Sequence, residues 1–100
     1  MSKPVYVLYM FDHWTEAWYT LSKEEQKNLF AKMDEVNNNT GIKWIIACNS
    51  RWANEGVFYW SVAEYADMET LQKKTSELEK LEWWRYISVK TILGTKDEEA

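Results

Sequence analysis

The fold of this chain is indicated first by residues 42–65, which read IKWIIACNSRWANEGVFYWSVAEY. Residues 42–49 and 57–65 are rich in the β-branched and aromatic side chains that favour strands. The residues between them are mostly polar and include Gly56, which suits a turn. This segment therefore predicts two antiparallel strands joined by a hairpin loop.

Regular alternation along the first of these strands predicts which side chains share a face of the sheet. Side chains two residues apart in a strand point to the same side. Alternation therefore places Ile42, Trp44, Ile46 and Cys48 on one face, and Lys43, Ile45, Ala47 and Asn49 on the other.

Two further strands are predicted on either side of the hairpin. Residues 5–11 are apolar at every position, which is typical of a central strand covered on both faces. Residues 83–93 have a high content of aromatic and β-branched side chains and predict a fourth strand.

The first helix is marked by a cap, an apolar stripe and an end signal. Ser22 and Glu25, three residues apart, have the pattern of a capping box. Residues 37–41 end the helix, because Asn and Gly tolerate the backbone conformation that helix ends require. The buried stripe between these signals consists of Leu29, Phe30, Met33 and Val36.

The second helix is predicted to begin after Asp67, a favourable capping residue. Its apolar positions at helical spacing are Met68, Leu71, Leu78 and Leu81. Its lysines, Lys73, Lys74 and Lys80, are interpreted as part of a solvated face. A shorter helical turn is predicted before the first helix by the spacing of Trp14, Trp18 and Leu21.

The order strand, helix, strand, strand, helix, strand predicts a ferredoxin-like α+β fold. In this fold a four-stranded antiparallel sheet carries both helices on one face. We expect one such domain over residues 1–95 and an acidic C-terminal tail over residues 96–100. Both faces of the predicted strands are apolar, so the open sheet face predicts a homodimer in which two sheets pack together.

Composition argues against several classes of protein. A hydrophobic content of 46% indicates a globular chain, and a net charge of −4 argues against nucleic-acid binding, which usually requires a basic face. The single Cys48 excludes an internal disulfide and a multi-cysteine zinc site, and we expect neither a metal nor another cofactor. We also expect a cytoplasmic protein without membrane association, because there is no long apolar run and no signal-peptide pattern.

With this element order and patterning, residues 4–93 resemble the dimeric α/β-barrel superfamily. Residues 18–22, which read WYTLS ahead of a capped helix, are similar to small members of that superfamily without an assigned activity. The superfamily includes cofactor-independent monooxygenases, haem-degrading enzymes, chlorite-dismutase-like haem proteins and stress-response proteins. The resemblance implies a site between one subunit's sheet and its own helices. The haem-degrading members bind haem through a His on the second helix, whereas residues 68–81 contain none, which argues against haem degradation here.

Five residues are candidates for such a site. The resemblance to the monooxygenases implies a polar side chain, a Trp and an Arg around a polyphenolic ring, and Asn49, Trp60 and Arg85 are counterparts in kind. Trp18, in the WYTLS stretch, is a third candidate ligand-binding residue beside Asn49 and Trp60. His13 is the candidate acid–base residue, and it forms with Arg85 the predicted catalytic set.

Three of these residues also have a purely structural explanation. For Arg85 an ion pair with a carboxylate such as Glu64 is the preferred explanation. Burial in a core or an interface is likewise preferred for Trp60, and a position in a surface loop is preferred for His13.

Two functions are therefore expected from different classes. The first is binding of a small, flat, apolar or aromatic molecule, with monooxygenase-like or isomerase-like chemistry as the two reactions considered. The second is a non-catalytic dimeric module in which the aromatic residues build core and interface.

Overall fold

The computed structural model describes residues 3–53 and 56–99 of the chain. Its helices and strands follow the predicted order: β1 (Val5–Trp14), α1 (Glu16–Tyr19), α2 (Lys23–Asn39), β2 (Lys43–Asn49), β3 (Tyr59–Tyr65), α3 (Met68–Lys80) and β4 (Ile87–Gly94). Short 3-10 turns lie at Arg51–Ala53 and Trp83–Arg85. The predicted short turn after the first strand is confirmed as α1.

The four strands form one antiparallel sheet in the order β2-β3-β1-β4. Val5, Val7 and Tyr9 of β1 are buried against the helices, as are Ala63 and Tyr65 of β3. The predicted ferredoxin-like α+β fold is confirmed, and the cavity described below lies between the sheet and the helices.

The predicted helix caps are present in the structure. The Glu25 N–H donates to Ser22 Oγ at 3.0 Å, and the Ser22 N–H donates to Glu25 Oε1 at 2.9 Å. The Thr70 N–H donates to the Asp67 carboxylate at 2.7 Å. These bonds satisfy N–H groups that a helix start leaves without partners, so they determine where α2 and α3 begin.

The prediction of regular alternation along β2 is wrong. The pairing with β3 shifts between Trp44, which is opposite Ala63, and Ile46, which is opposite Val62. This bulge inserts Ile45 as an extra residue, and a bulge of this kind reverses the alternation beyond it. Trp44 and Ala47 consequently lie on the same face, the one that lines the cavity.

The fourth strand begins later than predicted. The chain turns at Glu82, whose φ of 56° lies in the left-handed region, and then forms the 3-10 turn Trp83–Arg85. Trp83 is buried in the cluster around Trp18 instead of pairing in the sheet. Packing of this side chain therefore outweighs the preference of Trp for strands.

The sheet face opposite the helices is open in the single chain. It presents Trp60 opposite Met10 on β1, and Val62 opposite Leu8 on β1. Ile46 and Ile92 lie on this face near its two edges, with 48% and 58% of their surface exposed. Among the described residues, no helix combines the length and the apolar character that a membrane crossing requires.

Candidate functional site

A cavity of about 500 Å³ lies between the helix-facing side of the sheet and the helices. Its volume is in the range of small-molecule sites in proteins, about 300–1,000 Å³. Most of its wall is aromatic or aliphatic: Tyr9, Phe11, Trp14, Phe30, Met33, Trp44, Ala47, Phe58, Tyr59, Leu78, Trp83, Trp84 and Ile87. The polar or charged lining residues are Asp34, Asn37, Arg51, Ser61 and Lys74.

One wall of the cavity is a cluster of aromatic rings. Trp14, at the end of β1, stacks on Trp18 of α1 with ring centroids 4.2 Å apart and planes 19° apart. Phe30 of α2 and Trp83 contact this pair edge-on, with centroids 5.6 and 6.0 Å from Trp14. Stacked and edge-on pairs are the favoured arrangements of aromatic rings, so this wall is a well-packed surface against which a flat ring can lie.

The polar centre of the cavity is formed by Lys74 together with two tyrosines. Lys74 Nζ donates to the Tyr9 hydroxyl at 3.1 Å, and the Tyr9 and Tyr65 hydroxyl oxygens lie 2.6 Å apart. Lys74 comes from α3, whereas Tyr9 and Tyr65 come from the neighbouring strands β1 and β3. The three polar groups thus form one hydrogen-bonded chain, of which Lys74 and Tyr9 line the cavity.

The side chain of Lys74 is shielded from bulk solvent. Its side chain is buried, with 4% of the residue surface exposed, and its Nζ lies 4.5 Å from the centroid of the Tyr9 ring. Burial disfavours the charged ammonium form and lowers the pKa of Lys74 to about 8. Burial also raises the pKa of Tyr9 and of Tyr65, so both hydroxyls stay protonated at neutral pH. The site therefore combines an amine that titrates near neutrality with two neutral hydroxyl groups.

Lys74 has no acidic partner within the part of the chain that the structure describes. The ion pairs found there join Lys3 to Glu98, Lys80 to Glu77 and Arg85 to Glu82. A buried cation usually requires a compensating negative charge or loses its proton. Lys74 is therefore available for interaction with a molecule in the cavity.

Asn37 adds a further polar group to the cavity wall. It is the buried residue near the end of α2, and its Nδ2 donates to Met33 Sδ at 3.0 Å. Its Oδ1 is buried without a hydrogen-bond partner among the described residues. A buried oxygen without a partner is costly, so it favours a bound molecule that donates a hydrogen bond.

The structure places the two predicted catalytic residues outside the cavity. His13 is exposed on β1 opposite Ser88, just beyond an irregularity in the strand. Arg85 lies in the 3-10 turn before β4, with its NH1 atom 3.8 Å from the Glu82 carboxylate. The ion-pair alternative for Arg85 is therefore present, although its partner is Glu82 and not Glu64.

The three predicted ligand-binding residues also lie outside the cavity lining. Asn49 is exposed at the end of β2 and accepts a hydrogen bond from the Arg51 N–H at 3.0 Å. Trp60 lies on the open sheet face opposite Met10. Trp18 is buried behind Trp14, so it supports the aromatic wall from outside. The structure does not bring the five predicted residues together at one site, and their roles remain predictions.

Sequence reasoning missed the polar residues of the cavity, and Lys74 is the most informative of them. Its assignment to a solvated helix face is wrong, because the side chain is buried. The signal was present in the spacing, since Lys74 is three residues after Leu71 and four before Leu78 on the buried stripe of α3. A lysine in the middle of an apolar stripe is a better indicator of a site than its charge alone.

No group of three or more His, Cys, Asp or Glu side chains suited to a metal ion occurs in residues 3–53 and 56–99. Cys48 is a free thiol at the end of β2. The lining of the cavity supplies the Lys74 amine, the Asp34 carboxylate, the Arg51 guanidinium, the Asn37 amide, hydroxyl groups and aromatic rings.

Comparison with known proteins finds similarity in structure but no match to a family model or to a curated protein. No family model matches this sequence, and no curated protein is significantly similar to it. A crystal structure of a mutant of SnoaB, a cofactor-independent oxygenase from Streptomyces nogalater, superimposes on the chain with a TM-score of 0.50 at 12% sequence identity. The match covers 98% of this chain and 96% of the SnoaB chain. At this identity the likeness shows a shared fold, and this chain has the ferredoxin-like α+β fold of that oxygenase over nearly its whole length.

Proposed function

We propose that the cavity binds a small, flat, largely apolar aromatic molecule. The observation that carries this proposal is a cavity of about 500 Å³ with an aromatic wall and a buried Lys74 that has no acidic partner among the described residues. Small-molecule sites typically combine apolar walls with a few polar groups that orient the ligand. Here Lys74, Tyr9 and Asn37 supply the orienting groups, and the Trp14 wall supplies the stacking surface.

The reaction that we propose for this site is oxygenation of a phenolic ring without a cofactor. The fold is that of a cofactor-independent oxygenase, which makes this the first reaction to test. Without a cofactor, the substrate itself must supply the electrons. With 1-naphthol, one substrate and one O₂ give one 1,4-naphthoquinone and one water. The ring C–H carbon is oxidised to a carbonyl, one oxygen atom of O₂ enters the product, and the other leaves as water.

In this reaction the residues of the cavity would bind and activate the substrate. Neutral Lys74 can accept the phenolic proton, and the ammonium that results can stabilise the phenolate. Deprotonation makes the ring electron-rich, and an electron-rich ring gives electrons to O₂ more readily. The aromatic wall would hold the ring and exclude water from it.

Binding is tested with N-phenyl-1-naphthylamine, a neutral aromatic fluorophore whose emission increases in an apolar site. Ala47 lines the cavity from an exposed position on β2, so Ala47→Phe is expected to obstruct it. We expect the fluorescence increase with the native chain and an affinity about tenfold weaker with Ala47→Phe, which corresponds to about 1.4 kcal/mol. Thr91→Phe is the matched control, because Thr91 is exposed on β4 and outside the cavity lining. Failure of the native chain to bind the probe would contradict the proposal.

Oxygenation is tested with 1-naphthol under ¹⁸O₂. The proposal predicts quinone formation with one labelled oxygen atom, and a loss of this activity in Lys74→Met. His13→Ala and Arg85→Ala test the catalytic roles that the sequence predicts for these two residues. Both residues lie outside the cavity in the single chain. Binding without quinone formation would leave a ligand-binding protein and would contradict the oxygenase part of the proposal.

We propose further that the chain forms a homodimer in the cytoplasm, through the open sheet face. Support comes from the apolar side chains exposed there, Ile46 and Ile92 among them, since large exposed apolar patches usually mark interaction surfaces. Val62 lies on this face between Leu8 and Ile46, so Val62→Glu is expected to give a monomer in native mass spectrometry. Thr91→Glu, on the other face of the sheet, is expected to remain dimeric. A monomeric native chain would contradict the dimer.

A dimer through the exposed apolar face is equally required by the second candidate function, a non-catalytic dimeric module. That function predicts a dimer that binds neither the fluorophore nor 1-naphthol. The native-mass and fluorescence experiments together therefore separate the two functions.

A further inference from the structure

The position of Lys74 is not explained by structural requirements alone. Its Nζ lies within 5.8 Å of the ring centroids of Tyr9, Trp44 and Tyr65, and it has no acidic partner among the described residues. A hydrophobic side chain at this place on α3 would avoid the cost of burying an amine. The amine nevertheless lines the cavity, where a bound molecule can reach it.

We propose that Lys74 is a nucleophile that forms an imine with an aromatic aldehyde held in the cavity. This inference rests on the proposed function, because it uses the same cavity and the same aromatic wall. The ligand class follows from the surroundings of the amine: the rings suit an aromatic group, and Nζ lies beside the Tyr9 hydroxyl, which can bind a carbonyl oxygen.

The reaction balances without an oxidant or a reductant. The Nζ lone pair forms a C–N bond to the carbonyl carbon, the π electrons move to the oxygen, and a proton passes from nitrogen to oxygen. The C–O bond then breaks, the oxygen leaves as water with one added proton, and the nitrogen lone pair completes the C=N bond. One aldehyde and one amine therefore give one imine and one water.

The neighbouring groups suit both steps of this reaction. Attack requires the unprotonated amine, and burial lowers the pKa of Lys74 to about 8, which increases the unprotonated fraction at neutral pH. Loss of water requires a proton donor near the oxygen. The Tyr9 hydroxyl lies 3.1 Å from Nζ, and Tyr65 lies 2.6 Å behind it and can return a proton to Tyr9.

The test is reductive trapping of the native chain with 2-naphthaldehyde and sodium cyanoborohydride at pH 7, followed by intact-mass measurement and peptide mapping. We expect one adduct per chain, on Lys74, formed at least about tenfold faster than any adduct on the exposed Lys73. Lys74→Met is expected to lose the rapid adduct, and Lys73→Met to keep it. Tyr9→Phe is expected to slow trapping on Lys74, because it removes the proton donor beside Nζ.

The outcomes separate this inference from the proposed function. If the fluorophore binds and the aldehyde labels Lys74 no faster than Lys73, the imine inference is overturned and the binding function stands. If Lys74 is labelled rapidly although the fluorophore does not bind, the result supports Lys74 as a nucleophile and contradicts the broader binding proposal. Trapping that is as rapid in Lys74→Met as in the native chain would also overturn the inference.

Discussion

The hydroxyl oxygens of Tyr9 and Tyr65 lie 2.6 Å apart, although the two residues are 56 positions apart in the chain. This contact joins β1 to β3 beneath the cavity and connects to the amine of α3 through Tyr9. Because Tyr65 is fully buried, its hydroxyl has no access to water that could replace Tyr9 as a partner. The contact therefore contributes to the stability of the fold and to the hydrogen bonding of Tyr9, which binds the Lys74 amine.

Tyr65→Phe is expected to lower the free energy of unfolding by about 1–2 kcal/mol, because it leaves the Tyr9 hydroxyl short of a buried partner. Urea denaturation measures the change. Tyr19→Phe is the matched control, since Tyr19 is 69% exposed. Equal stability of the native chain and Tyr65→Phe would show that the hydroxyl contact contributes nothing.

Lys74→Met is expected to stabilise the folded state in a manner that depends on pH. Folding lowers the pKa of Lys74 from 10.5 to about 8, so between these values the unfolded state binds more protons than the folded state. The stability of the native chain relative to Lys74→Met therefore increases as the pH rises through this window. The variant is expected to be more stable by up to about 3 kcal/mol below pH 8 and to lose most of this advantage near pH 10.5.

Denaturation midpoints of both proteins from pH 7 to 10.5 check this prediction. Comparison of the two proteins is needed because the raised pKa values of Tyr9 and Tyr65 lower the stability of each chain above pH 10. Lys73→Met, at an exposed position, should differ in stability from the native chain by the same amount at every pH in this range. If the difference in stability between Lys74→Met and the native chain also stayed the same at every pH, burial would not lower the pKa of Lys74.

Ser22→Ala is expected to destabilise the chain by about 1 kcal/mol, because it removes the acceptor for the Glu25 N–H at the start of α2. Ser22→Asp keeps an acceptor and should retain most of the stability. Thermal unfolding followed by circular dichroism measures both variants. An alanine variant as stable as the aspartate variant would contradict the role of the cap.

Trp18→Leu is expected to cost about 2–4 kcal/mol, because it removes a buried ring that stacks on Trp14 and contacts Phe30 and Trp83. Weaker binding of N-phenyl-1-naphthylamine should accompany the loss, since Trp14 would lose its support. Trp52→Leu, at a position that is 85% exposed, provides the control for both measurements. A stable variant with unchanged binding would show that Trp18 does not support the wall.

The fold was predictable because its signals are local. The capping box at Ser22 and the cap at Asp67 depend on residues within one helical turn, and the strands between them depend on composition. Trp83 and Trp84 show the limit of this reasoning. Their composition favours a strand, but Trp83 packs against Trp14 and Trp18, and that tertiary contact replaces the strand with a 3-10 turn.

The site was less predictable because it depends on which face each strand presents. Trp60 and Asn49 were selected by residue type, and one lies on the open face while the other lies at the end of an edge strand. Lys74 was predictable in principle from helical spacing, although a charged residue is normally assigned to solvent. Tyr9 has no distinguishing feature in an all-apolar strand, and its importance follows from its contact with Lys74.

The bulge at Ile45 has a consequence for comparing this chain with others. Trp44 and Ala47 are three positions apart and still line the same cavity, because one residue of β2 is not matched in β3. A relative without this extra residue would have regular alternation here. A gap-free alignment of the two strands would then match a cavity residue of one protein with an open-face residue of the other. Correct comparison of this strand therefore requires a one-residue gap placed at Ile45.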